Sequence, residues 1–140
     1  MSEPRESPDT LSGSLGGFYE LRFDARAEAA KDAIWREVCR HLQRYVPRDG
    51  VVLDVACDRG YFIRHISAVD RWAIDVRDMS AHLGAGVTFR QLDGPGMDRS
   101  LPNEHFAAVF MSNYLEHPSN ADAVLTQLRA SWRTSGPGAR

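Results

Sequence analysis

Val51-Val52-Leu53-Asp54-Val55-Ala56-Cys57-Asp58-Arg59-Gly60-Tyr61-Phe62 is the stretch on which the fold turns. Its first five residues form a compact, β-branched apolar run, and the next five are small or polar. A helical pattern then runs from Tyr61 to Ile66, so the segment reads as strand, tight turn and short helix. Trp72-Ala73-Ile74-Asp75, Val87-Thr88-Phe89 and Phe106-Ala107-Ala108-Val109-Phe110-Met111 are three further strand candidates. None of these runs alternates apolar with polar residues, which marks strands covered on both faces, as in parallel sheets.

Helical segments separate them. Ser80 to Leu83 suits a short helix, and Ala121 to Leu128 repeats apolar residues at 121, 124, 125 and 128. Upstream, Ala27, Ala30, Ile34, Val38, Leu42 and Tyr45 recur at three- and four-residue steps. They predict one face of a helix that starts after Asp24 and ends before Pro47. Strands alternating with helices imply an α/β sheet with crossover connections. Residues 1–23 read as a disordered or loosely packed leader, 24–130 as the domain, and 131–140 as an irregular tail.

Composition narrows the function classes. A chain of 140 residues, 43% hydrophobic, has room for one domain with a real core. Seventeen basic against nineteen acidic residues give a net charge of -2, no electrostatic case for nucleic acid. No apolar run is long enough to span a bilayer, and the polar N-terminus lacks signal-peptide order, so a cytoplasmic location without membrane contact is expected. Cys39 and Cys57 are too few for a disulfide scaffold, and neither they nor the histidines (41, 65, 82, 105, 117) have metal-ligand spacing. Lys31 is the only lysine, which points to GC-rich codon bias.

In an open α/β sheet, ligands bind beyond the carboxyl ends of the strands, so the turn after the first strand is where chemistry belongs. A dinucleotide fingerprint needs small residues at steps 0, 2 and 5; those slots hold Ala56, Asp58 and Tyr61, a poor match. Slots at 0, 2 and 4 hold Ala56, Asp58 and Gly60, preceded by the acidic Asp54. A P-loop is excluded because no Gly-Lys-Ser/Thr follows. Asp75 lies ~20 positions beyond the turn, the separation expected of a ribose-binding acid, and a carboxylate can accept from both ribose hydroxyls at once.

Val52 to Phe62 resembles the first motif of class I S-adenosylmethionine-dependent methyltransferases, and three further matches follow in the family's order. Ala73-Ile74-Asp75 is similar to the end of the second strand. Val87-Thr88-Phe89-Arg90-Gln91-Leu92-Asp93-Gly94 is similar to the third. Phe106 to His117 is similar to the fourth strand and the segment after it. The resemblance implies a Rossmann-like three-layer sandwich and S-adenosylmethionine as cofactor. It implies cofactor contacts at Asp54, Ala56, Cys57, Asp58, Gly60, Asp75, Val76, Asp93, Gly94 and Ser112, with Asp75 on the ribose and Asp93 on the adenine. It places His117 near the transferred methyl, where a neutral imidazole could serve as general base. The acceptor it implies is a small molecule or a saccharide.

Two departures stand out. Asp58 takes a slot where the family has Gly and adds a carboxylate near the cofactor's own; Arg59 could screen it. The family's sheet has seven strands against four here, and nothing after Leu128 reads as strand. Back-translated with G/C-ending codons, Ala130 to Ser135 encode Arg-Pro-Gly-Gly-Arg one base over, which resembles the family's sequence before its fifth strand. The expectation is therefore a truncated methyltransferase with a frameshifted tail and a sheet incomplete in its C-terminal half. Its fourth strand would be an exposed apolar edge capable of self-association. The alternatives are an inactive remnant or interaction domain and, less favoured, a nicotinamide-dependent oxidoreductase.

Overall fold

In the computed structural model the described residues are 9–92, 100–116 and 118–133, with side chains from residue 24. The chain divides into two compact units, Met1–Ile34 and Trp35–Arg140. Helix α1, Asp9–Leu42, runs across that division. Residues 9–23, expected as part of a loose leader, are thus helical; the remainder of that stretch and the tail from 134 lie outside the described residues.

The second unit carries the sheet. Strands β1 (Val51–Val55), β2 (Asp70–Asp75), β3 (Val87–Gln91) and β4 (Ala108–Met111) are all parallel, in the order β3-β2-β1-β4. Helix α2, Tyr61–His65, connects β1 to β2, a 3₁₀ turn at Ser80–His82 precedes β3, and α3, Ala121–Ser131, follows β4. The parallel α/β sheet expected from the unalternated apolar runs, and the Rossmann-like arrangement that the resemblance implies, are therefore present, with four strands among the described residues.

Alternate residues of β1 face opposite cores, which explains why the run does not alternate apolar with polar. Val52 packs into one core with Cys39, Phe62, Ile63 and Ala73, and Leu53 and Val55 pack into a second with Ile74, Phe106, Val124 and Leu128. Each large side chain buried this way contributes roughly 1.5–3 kcal/mol. Phe62 of α2 stacks on Phe110 of β4 with ring centroids 3.8 Å apart, and Trp35 meets Phe110 edge-on at 5.9 Å. These contacts fasten α2, and so the turn preceding it, to the edge strand β4.

Two packing details differ from the sequence pattern. In this unit Cys39 is the buried residue of α1, with Trp35 and Leu42 partly buried beside it and Val46 buried beyond its end; of the expected face Leu42 packs here, whereas Ile34 and Tyr45 are exposed. Beyond α3, Trp132 forms a parallel bridge with Phe106; the Phe106 N–H donates to Ser131 O at 3.1 Å, and the Arg133 N–H donates to Phe106 O at 2.8 Å. A fourth pairing thus begins where none was expected. Past it, the outer edge of β4 floors an apolar trough of about 610 Å³, flanked by Leu42 and Val46 and by Leu128 and Trp132.

Candidate functional site

β1 lies between β2 and β4, so the chain leaves its carboxyl end at the point where the strand order reverses. The turn there, residues 56–60, has an unusual backbone. Ala56 (φ 56°), Asp58 (φ 49°) and Gly60 (φ 73°) all lie in the left-handed region. These are the 0, 2 and 4 slots, so alternate left-handed residues account for the small-residue pattern: only glycine takes that conformation without cost. At Gly60 a side chain is also excluded by space, because a Cβ would lie 2.5 Å from Leu83 Cδ2 and 3.3 Å from Ile63 Cγ2.

The turn is tied to the tip of β2. The Cys57 N–H donates to Ile74 O at 3.0 Å, and the Asp58 N–H donates to Asp75 Oδ2 at 3.0 Å. Asp75 is buried at the strand end and receives more: Oδ1 accepts from the Arg77 N–H at 3.0 Å and from Arg77 Nε at 3.1 Å. Burial pushes this carboxyl up. The Arg77 guanidinium and the N–H groups of Arg77 and Asp58 outweigh that and hold it below the usual carboxylate range. Asp75 is therefore ionised and acceptor-only, the state a diol-binding group requires.

Arg77 also reaches Asp58, with Nη2 3.1 Å from Oδ1. Arg77 is thus a counter-charge to Asp58 in this network. Sequence reasoning missed Arg77 as a site residue. The signal, an arginine two positions after a strand-ending acid, was present but gains meaning only once Asp58 is folded alongside.

Asp54 belongs to a different layer. It points from β1 into the core under α2, with 3% of its surface exposed. The Ile63 N–H donates to it, but Oδ2 has no hydrogen-bond partner among the described residues. Burial pushes its carboxyl up to about 8, and the nearby carboxylates of Asp75 and Asp58 add to the rise against the pull of the Ile63 N–H. Asp54 thus supports the floor of the turn. Cys57 is also buried, and desolvation with neighbouring acids pushes its thiol up to about 12, which makes it a small hydrophobe and no nucleophile.

Val76 is exposed beyond Asp75, and Ser112 is half-buried directly after β4, at the same end of the sheet as the turn. Asp93, Gly94 and His117 lie outside the described residues. Among the described residues no group of His, Cys, Asp and Glu could hold a metal ion. No described helix is long and apolar enough to cross a membrane.

The sequence pattern of the methyltransferase domain matches residues 27–138. The chain belongs to the methyltransferase-domain family. No curated protein matches it. Among solved structures, an S-adenosylmethionine-dependent methyltransferase from Archaeoglobus fulgidus shares 19% identity and a TM-score of 0.60 over 82% of this chain and 54% of its own. One from Mesorhizobium loti shares 21% identity and a TM-score of 0.54 over 67% of this chain and 47% of its own. The Burkholderia thailandensis 1,6-didemethyltoxoflavin-N1-methyltransferase, solved with 1,6-didemethyltoxoflavin and S-adenosylhomocysteine, shares 21% identity and a TM-score of 0.55 over 95% of this chain and 63% of its own. The methyltransferase domain thus has the Rossmann-like fold of the S-adenosylmethionine-dependent methyltransferases, for which S-adenosylmethionine is the cofactor. It spans about half to two thirds of these structures' length.

The residues present fit such a cofactor. The left-handed turn brings backbone, not side chain, to the switch point at Gly60, and an ionised carboxylate ends the adjacent strand one hydrogen bond away.

Proposed function

We propose that this chain is an S-adenosylmethionine-binding methyltransferase domain that directs a methyl group to a small-molecule acceptor, with saccharides among the acceptors it suits. The observation that carries this reading is the hydrogen bond between Asp58 N–H and Asp75 Oδ2, which joins the turn after β1 to the acid at the tip of β2. When bound, the donor supplies an electrophilic methyl on a sulfonium sulfur. The chain's own residues bind and orient it. Gly60 and Ala56 let the turn pass close to its methionine end, Asp75 accepts from the ribose hydroxyls, and Val76 borders the adenosyl group. Ser112 stands at the end of β4, on the acceptor side. Asp93 and Gly94 would meet the adenine, and His117 would remove a proton from the acceptor. In-line transfer asks mainly for positioning, which rigid strand ends supply.

Titration calorimetry with S-adenosylhomocysteine tests the reading. The wild-type chain binds, and Asp75→Ala, checked for folding by circular dichroism, binds roughly tenfold or more weakly, the loss expected for hydrogen bonds to a charged acceptor. Equal affinities would remove Asp75 from the site.

A second reading, a domain that holds the cofactor without turning it over, is favoured by Asp58. This carboxylate occupies a slot beside the place proposed for the donor's own carboxylate. Conversion of S-adenosylmethionine to S-adenosylhomocysteine in the presence of acceptors separates the two readings.

A further inference from the structure

We propose that Arg77 is a gate on the cofactor site: its side chain closes over Asp75 when the site is empty and must leave before a ribose can bind. The proposal rests on the cofactor reading above and adds a specificity-determining residue to it. Counting acceptor positions carries the argument. A carboxylate offers about four lone-pair directions, and on Asp75 four N–H groups take them. Two are backbone donors, Asp58 N at 3.0 Å on Oδ2 and Arg77 N at 3.0 Å on Oδ1, and are part of the fold. The other two belong to the Arg77 side chain, Nε at 3.1 Å on Oδ1 and Nη2 at 3.4 Å on Oδ2.

A ribose diol needs one position on each oxygen. The guanidinium takes one on each. Asp75 is only 4% exposed beneath it, while the Arg77 side chain itself is 60% exposed. Its second partner, Asp58, is 46% exposed and 3.1 Å from Nη2, so the open position has an anchor. Held there, Arg77 keeps Asp58 neutralised while Asp75 serves the ribose. The Asp58 that departs from the family's glycine then has a function as the resting place of the gate.

Calorimetric titration with 5′-methylthioadenosine, which carries the ribose diol but no charge, isolates the gate from the cofactor's carboxylate. Arg77→Ala binds this nucleoside roughly two- to fivefold tighter than wild type, the scale of a mostly exposed ion pair removed from competition. Arg77→Gln, which keeps one donor, falls between. Wild-type affinity rises with salt as the ion pair is screened, and Arg77→Ala loses that dependence. Equal or weaker binding by Arg77→Ala than by wild type overturns the gate while leaving the cofactor reading intact. Failure of folded wild type and both variants to bind this nucleoside or S-adenosylhomocysteine overturns the cofactor reading, and the gate with it.

Discussion

Replacing Asp54 by Asn should abolish the main pH dependence of stability in this domain. Burial pushes the native carboxyl up to about 8, against an ordinary value of 3.8. A raised acid holds its proton in the native state while the unfolded chain has released it. The stability it contributes is complete below the unfolded value and declines as pH rises towards 8. Each pH unit in that window removes about 1.4 kcal/mol, so wild type should lose roughly 3–4 kcal/mol between about pH 5 and pH 8. That is a large share of the ~5–15 kcal/mol a domain has in total. Other shifted groups act elsewhere. Asp75, held low, costs stability only as pH falls through its depressed value, and the Cys39 and Cys57 thiols, pushed up to about 11 and about 12, titrate above the window. Asn at 54 keeps the acceptor for the Ile63 N–H and puts a neutral amide where the unpartnered oxygen stood. Urea unfolding across this pH range should show parity at the acid end and an advantage for Asp54→Asn at the alkaline end. A wild-type profile that is flat from pH 5 to pH 8, or a variant with the same slope, would refute the reasoning.

The left-handed turn makes a paired prediction. Ala56→Gly should stabilise by about 0.5–1 kcal/mol, relief of the φ 56° strain exceeding the added entropy of the unfolded chain, and thermal unfolding reads it. Gly60→Ala should destabilise by about 2 kcal/mol or more, because φ 73° strain adds to a collision with buried Leu83. Phe62→Ala should cost about 3–5 kcal/mol in urea unfolding, since it removes the ring stacked on Phe110 and leaves a cavity beneath α2.

Much of the fold was legible because parallel strands covered on both faces leave unbroken apolar runs. Val51–Val55 and Trp72–Asp75 announce themselves, and the small slots at 56, 58 and 60 correspond to three left-handed residues. The face of α1 was less legible. Ile34 fits the helical period as well as Trp35 does, but it is Trp35 that is partly buried, edge-on to Phe110. The pairing of Trp132 with Phe106 was hidden because one bridge needs no apolar run of its own. Arg77 was invisible for a third reason: its partners, Asp58 and Asp75, lie on separate segments that meet only in the folded chain.

A crystal structure of the chain with S-adenosylhomocysteine tests the central claim most directly. The account predicts the ribose hydroxyls on Asp75, the homocysteine end over the 56–60 turn, and the Arg77 guanidinium shifted onto Asp58 alone. A cleft without ligand in the presence of saturating S-adenosylhomocysteine, with Arg77 still bridging Asp58 and Asp75, would contradict it.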